Sequence, residues 1–295
     1  MIRADRSHSR RGSGLASTHG RGNPDNPHTY PQGVPSWIEY QATDVDAAVR
    51  FYGGLLGWAF EDRLPPGAPA RFLLASLGGK DTGSIATADG APRWLTYIAV
   101  DDADVVAGAA SDAGGTVLHP PQDAGPAGRW ASVRDPQGAE FGLWQAGMRR
   151  GSQVNNAANS WNFSDLQTTD LDAGLAYYGC VFGWEVADMG PDAHHVLRLP
   201  GYGDHLEATV DPGIRERQAD APEGFADAVA GAVEAEADEG PHWHVSFSVD
   251  DRDAAAETAE GLGDEVLGRY DGMWVRSARI RDPWGAEFTL SEFTS

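Results

Sequence analysis

The stretch Asp135-Pro136-Gln137-Gly138-Ala139-Glu140-Phe141 returns near the end of the chain as Asp282-Pro283-Trp284-Gly285-Ala286-Glu287-Phe288. An earlier motif repeats as well, because Asp44 followed by Gly57-Trp58 recurs as Asp170 followed by Gly183-Trp184. Two different motifs that repeat in the same order indicate a tandem duplication. The sequence therefore predicts two related halves.

Composition sets bounds on what the protein can be. At 295 residues the chain is near the size at which one core divides into two domains. No apolar run approaches the roughly 20 residues that span a bilayer, so we expect no membrane partner and a cytoplasmic location. The single cysteine, Cys180, excludes an internal disulfide and fits a reducing compartment. Because free cysteines are usually packed inside, we expect Cys180 to be buried.

The charge of the chain narrows the choice of partner. A net charge of -22 argues against nucleic acid, whose phosphates need a patch of Lys and Arg. Such a field would attract a cationic small ligand, although acidity can also serve solubility alone. We therefore expect a small-molecule ligand, and a chain that is a monomer or a homodimer.

Hydrophobic periodicity predicts an α+β fold made of four βαβββ modules, paired into two tandem domains. The modules open at strands that begin near Trp37, Trp94, Trp161 and His242. In each module the strand is followed by an aspartate that can cap a helix, and Gly or Pro-Gly turns separate the strands that follow.

Boundaries follow from composition. An Arg-, Ser- and Gly-rich stretch with few large apolar residues predicts a disordered tail over 1–35. The first domain is expected at 36–145, the Gly- and Asn-rich linker at 146–159, and the second domain at 160–295. The second domain carries an acidic insertion at 214–240, which we interpret as a surface excursion or, alternatively, as a lid over the second site.

These motifs resemble the vicinal oxygen chelate superfamily, which contains glyoxalase I, bleomycin-resistance proteins and extradiol dioxygenases. The resemblance rests on the four modules and on D-P-x-G-x-x-F before the last strand of each half, and it covers 36–293. The stretches W-N-x-x-D-L-Q-T-T-D and W-L-T-Y-I-A-V-D-D are similar to a two-domain actinobacterial subgroup called glyoxalase-like or hydroxylase-like. The resemblance implies that each domain is a curved mixed sheet around a cleft.

The resemblance also locates the positions where enzymes of the family hold a divalent metal. One ligand position lies seven residues before the helix-capping Asp, and only His244 among the four residues found there can bind a metal: Trp37, Leu95, Phe163 and His244. On the last strands, Gly142 and Thr289 stand where a dioxygenase has Glu. The iron-binding set of the extradiol dioxygenases is therefore absent from both domains.

In the first domain, strand alternation points to an organic ligand rather than a metal. Trp37, Glu39 and Gln41 share one strand face, and Glu140 and Trp144 share another. If both faces line the cleft, carboxylates, an amide and indoles suit a ligand with polar or cationic groups. We assign Gln167 and Glu287 to ligand binding in the second domain. Alternatively, the tryptophans belong to the core and the glutamates lie in water.

The second domain is rich in histidine, since five of the nine histidines fall within it: His194, His195, His205, His242 and His244. The resemblance implies that Glu207 falls near the position of a glyoxalase-type Glu ligand. Glu207 and His244, with His205 or His242 as a third ligand, would then hold zinc, nickel, manganese or iron. Ordinary hydrogen-bonded histidines are the alternative.

Two functions remain open from the sequence. The first is a bleomycin-resistance-like protein that binds a small organic metabolite, cationic or aromatic, in its clefts. The second is a divalent-metal-dependent lyase or isomerase of the glyoxalase type, which acts through the second domain on a carbonyl or vicinal-oxygen substrate. In the enzyme, Glu207 or Asp165 would move the proton; without metal, Glu39 or Asp165, at matched positions of the two halves, would act as the general base.

Overall fold

The structure of the protein is a computed structural model that describes residues 29–187, 195–219, 221–222, 224–236, 239–272 and 275–294. In these ranges, no helix is long and apolar enough to cross a membrane. The elements form two eight-stranded sheets, one from each half of the chain. The predicted α+β fold of four βαβββ modules in two tandem domains is confirmed.

The first sheet is built by the first two modules. Its strand order is β2-β3-β4-β1-β5-β8-β7-β6. The elements are β1 (Pro35–Ala42), α1 (Val45–Leu56), β2 (Ala59–Asp62), β3 (Phe72–Leu77), β4 (Lys80–Thr87), β5 (Arg93–Ala99), α2 (Ala103–Asp112), β6 (Thr116–Asp123), β7 (Gly128–Arg134) and β8 (Glu140–Ala146).

The second sheet repeats this order as β10-β11-β12-β9-β13-β16-β15-β14. Two short helices, α4 and α5, are added between β11 and β12. The elements are β9 (Trp161–Thr168), α3 (Leu171–Phe182), β10 (Glu185–Ala187), β11 (His195–Arg198), α4 (Tyr202–Thr209), α5 (Ile214–Arg217), β12 (Ala228–Glu234), β13 (His242–Ser248), α6 (Arg252–Leu262), β14 (Glu265–Asp271), β15 (Val275–Arg281) and β16 (Glu287–Phe293).

The opening strands of paired modules meet at the centre of each sheet. In the first sheet β1 and β5 are antiparallel, while each runs parallel to the last strand of its own module, β4 or β8. The second sheet has the same arrangement of β9 and β13 with β12 and β16. Residues opposite one another on these four central strands project from the same face.

The residues at its two ends explain where α1 begins and ends. Asp44 caps α1 by accepting a hydrogen bond from the backbone of Ala47, and Gly57 ends it in the left-handed conformation at φ 68°. The apolar face of α1, which includes Phe51 and Tyr52, is buried. The repeat Asp170 and Gly183 begins and ends α3 in the same way.

The two hydrophobic cores do not follow the two domains. One core joins the first module to the fourth, with Tyr52 and Trp58 packed among Phe247 and Phe288. The other joins the second module to the third, with Phe141 against Tyr178. Each core therefore contains residues of both sheets.

Three predictions outside the site need correction. Residues 1–28 of the predicted tail lie outside the described residues, but Tyr30 donates to the carbonyl of Ser152 at 2.8 Å and Val34 is buried. The predicted insertion at 214–240 is placed too late in the chain. Residues 228–234 form β12 inside the sheet, and the residues that the second half has in addition to the first lie around α4 and α5. Cys180 is exposed rather than buried.

Candidate functional site

The candidate sites lie on the sheet faces turned away from the cores, which we call the open faces. On β1 the residues Ile38 and Tyr40 belong to a core, so the alternating Trp37, Glu39 and Gln41 point to the open face of the first sheet. On β9 the same alternation places Phe163, Asp165 and Gln167 on the open face of the second sheet.

Glu39 lies at the floor of the first open face and is only 7% exposed. Its carboxyl accepts hydrogen bonds from Tyr97 at 3.3 Å and from Ser84 and Gln41 at 3.4 Å. Burial raises the pKa of Glu39, and these hydrogen bonds together with the charge of Arg93 oppose the rise. The first sheet thus keeps a buried carboxyl under its open face.

Aromatic side chains share the open face of the first sheet with this carboxyl. Trp37 and Trp144 are half-buried, and sequence alternation assigned both to the ligand. Trp130 is opposite Trp144 in the register of β7 and β8 and is also half-buried. His119 lies 5.6 Å from the ring of Trp130. Trp130 and His119 were not among the residues predicted from the sequence, although period-two alternation along β7 places Trp130 on this face once its pairing with β8 is known.

The metal-ligand position on the last strand of the first domain holds no donor. A Cβ added at Gly142 would lie 2.0 Å from the ring of Tyr97, so that ring fills the position. At the equivalent position of the first module, the hydroxyl of Ser84 accepts from the indole of Trp37 at 2.9 Å. The first open face therefore presents aromatic and hydroxyl groups around Glu39.

The two predicted glutamates at the strand starts have arginine partners. Glu140 pairs with Arg93 at 2.9 Å and with Arg134 at 2.5 Å, and Glu287 pairs with Arg279 at 2.7 Å and Arg281 at 2.8 Å. Both glutamates line a groove of about 370 Å³ between the two domains. Their charges are largely neutralised there.

In the second sheet Asp165 occupies the position that Glu39 has in the first. It has no hydrogen bond or ion pair among the described residues, and burial raises its pKa to about 6. A Cβ at Gly231 would lie 1.9 Å from its Oδ1, so the missing side chain of Gly231 makes room for the carboxyl. Asp165 is thus a half-buried acid that the surrounding protein does not satisfy.

His244 is directly opposite Asp165 in the register of β9 and β13. It is 5% exposed, its Nε2 lies 2.8 Å from the hydroxyl of Thr289, and its Nδ1 is buried without a partner. Burial, with the nearby positive charges of His242 and Arg279, lowers the pKa of His244 to about 3. The imidazole is therefore neutral at physiological pH.

The other predicted metal ligands are placed elsewhere. Glu207 and His205 lie on α4 instead of a strand, so the expected strand position of Glu207 is wrong. Glu207 pairs with Arg215 at 3.1 Å, and His205 lies 2.9 Å from the carbonyl of Thr29. His242 lies 2.8 Å from the carbonyl of Gly240. His194 lies outside the described residues.

The donor set of the second domain does not fit a resident divalent metal. Structural register puts Gly231, not Glu207, at the last-strand position of the third module, and the opening strand offers Phe163. In the part of the chain that the structure describes, no three His, Cys, Asp or Glu side chains are grouped so that they could hold a metal ion. Metal sites in proteins use three or four such ligands.

Comparison with known proteins matches this architecture in both halves. Residues 35–143 match the model of the Glyoxalase/Bleomycin resistance protein/Dioxygenase superfamily, and 163–291 match that of the Glyoxalase-like domain. The chain is 35% identical over 269 residues to "Putative glyoxylase CFP32" of Mycobacterium tuberculosis, covering 88% of this chain and 95% of that protein. The chain belongs to the glyoxalase/bleomycin resistance/dioxygenase superfamily.

Two further similarities bear on this superfamily member. It is 31% identical over 281 residues to the anthracycline biosynthesis protein DauV of Streptomyces sp. strain C5, covering 89% of this chain and 94% of that protein. Its fold is similar to that of the Mn(II)-bound glyoxalase from Novosphingobium aromaticivorans, with a TM-score of 0.58, 16% identity, and coverage of 88% of this chain and 82% of that chain. The predicted resemblance is therefore confirmed.

Proposed function

We propose that this superfamily member binds a flat aromatic metabolite that carries a positive charge, on the open face of its first sheet. The observation that carries the proposal is the set of half-buried indoles of Trp37, Trp130 and Trp144 on the same face as the buried carboxyl of Glu39. Indole faces stack on aromatic rings and attract cations. A relative named for anthracycline biosynthesis supports an aromatic ligand.

The buried state of Glu39 gives this site a characteristic dependence on pH. Burial raises the pKa of Glu39, and a cation bound close to the carboxyl would favour its ionised form. Binding of a cation should therefore release protons, and the affinity should rise with pH until Glu39 is ionised in the free protein.

The alternative, a metal-dependent lyase or isomerase, needs a ligand set that the described residues do not supply. His244 is the single metal-binding side chain at the four family positions of the second domain. We further propose that the protein acts in the cytoplasm, where the exposed thiol of Cys180 would remain reduced.

The test uses 9-aminoacridine, a planar cation, and neutral anthracene-9-methanol as its uncharged counterpart, with binding followed by quenching of tryptophan fluorescence. We expect the cation to bind more tightly, and Glu39→Gln and Trp130→Ala each to weaken its binding about tenfold, which is about 1.4 kcal/mol. Glu257→Gln, on the exposed face of α6, serves as the control. Equal affinity of Glu39→Gln and the unaltered protein would refute the role of Glu39.

A further inference from the structure

The second open face contains two polar groups that no described residue satisfies. Among the described residues, Asp165 has no hydrogen-bond partner and Nδ1 of His244 is buried without one. A buried polar atom without a partner is costly and rare in folded proteins. This nitrogen and the half-buried carboxyl of Asp165, opposite one another on adjacent strands, indicate a site that a ligand completes.

The two side chains lean toward different neighbouring strands. The carboxyl of Asp165 leans over Gly231 on β12, and Nε2 of His244 faces Thr289 on β16. β12 and β16 are on opposite sides of the β9–β13 pair, so the two side chains lean apart. No hydrogen bond or ion pair joins Asp165 to His244, although their Cα positions are direct partners.

We assign the tautomer of His244 from its contact with Thr289. The hydroxyl hydrogen of Thr289 has no acceptor among the described residues other than Nε2 of His244, at 2.8 Å. With Thr289 as the donor, Nε2 is the acceptor and the hydrogen of the neutral ring is on Nδ1. In this tautomer Asp165 offers an acceptor and Nδ1 of His244 offers a donor.

We propose that the second open face binds a hydroxyl group of an aromatic ligand, which donates to Asp165 and accepts from Nδ1 of His244. A hydroxyl both donates and accepts, whereas an ammonium group only donates and a carboxylate would be repelled by Asp165. The half-buried ring of Phe163 provides an apolar wall, since its Cε1 lies 3.5 Å from the Cβ position of Gly231. This metal-free site is separate from the cation site proposed on the first sheet.

Phenol, anisole and benzylamine test the proposal, with the imidazole signals of 15N-labelled His244 as the readout. Anisole carries a methyl group in place of the hydroxyl hydrogen of phenol and so cannot donate, and benzylamine is a cation of similar size. We expect phenol to shift the His244 signals saturably and at least tenfold more tightly than anisole or benzylamine, with the hydrogen of His244 on Nδ1. Equal binding of phenol and anisole, tighter binding of benzylamine, or no response to phenol would overturn it.

Two variants locate the effect. Asp165→Asn should remove the preference for phenol over anisole, and it should not prevent folding because it removes a charge that lacks a partner. Gly231→Ala should push the carboxyl of Asp165 from its place and weaken phenol binding at least tenfold. Glu257→Gln should leave phenol binding unchanged. If Asp165→Asn is folded and keeps the full preference for phenol, the assignment is wrong.

Discussion

Asp264 is a half-buried acid outside both open faces, two residues after the end of α6. Both of its carboxyl oxygens are buried without a partner, and burial, followed by the charge of Asp282, raises its pKa to about 8. The equivalent residue in the other half is Gly115, where the hydroxyl of Tyr177 occupies the space. The same position of the duplicated chain is thus filled by a tyrosine hydroxyl in one half and by a carboxyl without a partner among the described residues in the other.

We predict that Asp264→Asn stabilises the protein, and more so at higher pH. The pKa of this carboxyl is higher in the folded than in the unfolded protein. Its contribution to the free energy of unfolding is therefore fully present below the pKa of the unfolded state and is lost as pH rises through about 8. Because the group is partly exposed, we expect a gain of about 1–2 kcal/mol at pH 8 and a smaller one at pH 5. Urea unfolding at both pH values measures it, and equal gains would contradict the prediction.

Gly142 is required because the ring of Tyr97 occupies the position of its missing side chain. We predict that Gly142→Ala lowers the free energy of unfolding by about 1–3 kcal/mol, since a rigid ring must move to admit the added methyl group. Gly108→Ala is the matched control: it lies inside α2 with open space around it and should stabilise by about 0.5–1 kcal/mol. Thermal unfolding should give opposite signs for the two variants.

The aspartate of each repeated D-P-x-G turn forms hydrogen bonds to the other half of the chain. Oδ1 of Asp282 accepts from the backbone of Trp284 and Ala286, and its Oδ2 accepts from Tyr40 at 2.5 Å and Tyr52 at 3.0 Å, both in the first module. Each turn aspartate is therefore also a hydrogen-bond partner for tyrosine from the other half of the chain.

The D-P-x-G turn of the first half, which begins at Asp135, predicts a smaller loss of stability than the turn at Asp282. Asp135 holds its own turn in the same way but binds a single tyrosine hydroxyl, that of Tyr178, at 3.2 Å. We expect Asp282→Ala to cost about 3 kcal/mol or more, and Asp135→Ala about 1–3 kcal/mol less than that, because an orphaned buried hydroxyl costs this much. Denaturant midpoints measure both, and a larger loss at Asp135 would refute this account.

Both hydrophobic cores are formed by residues of the two halves packed against each other. Trp58 of the first module contacts Phe247 of the fourth at 5.6 Å between ring centroids, and Tyr178 of the third contacts Phe141 of the second at 5.5 Å. Neither sheet can bury its helices without the other. Each half of the chain therefore forms one sheet, whereas each hydrophobic core contains residues of both halves.

This arrangement predicts a single cooperative unfolding transition for the chain. Residues 29–155, expressed alone, should expose the apolar faces of α1 and α2 and show no cooperative transition, and addition of the second half should restore one. Calorimetry of the intact chain and of each half makes the test. Two independent transitions, or a half that unfolds cooperatively by itself, would contradict the shared cores.

The duplication, the four modules and the face on which Glu39 and Asp165 lie could be predicted from the sequence, because motif order and period-two alternation are local properties of the chain. The strand pairing and the limits of the insertion could not be predicted, because they depend on contacts between distant parts of the chain. Glu207 therefore appeared to follow a strand pattern but lies on α4, and Gly231 was not recognised as the residue beside Asp165.

The side chains that occupy the family's metal-ligand positions on the last strands also could not be predicted from the sequence. Tyr97 covers Gly142 and Asp165 covers Gly231, each from an adjacent strand, and no local pattern reports such a neighbour. Register and packing between strands depend on contacts between residues far apart in the chain, whereas alternation fixes only the side of its own strand to which a residue points.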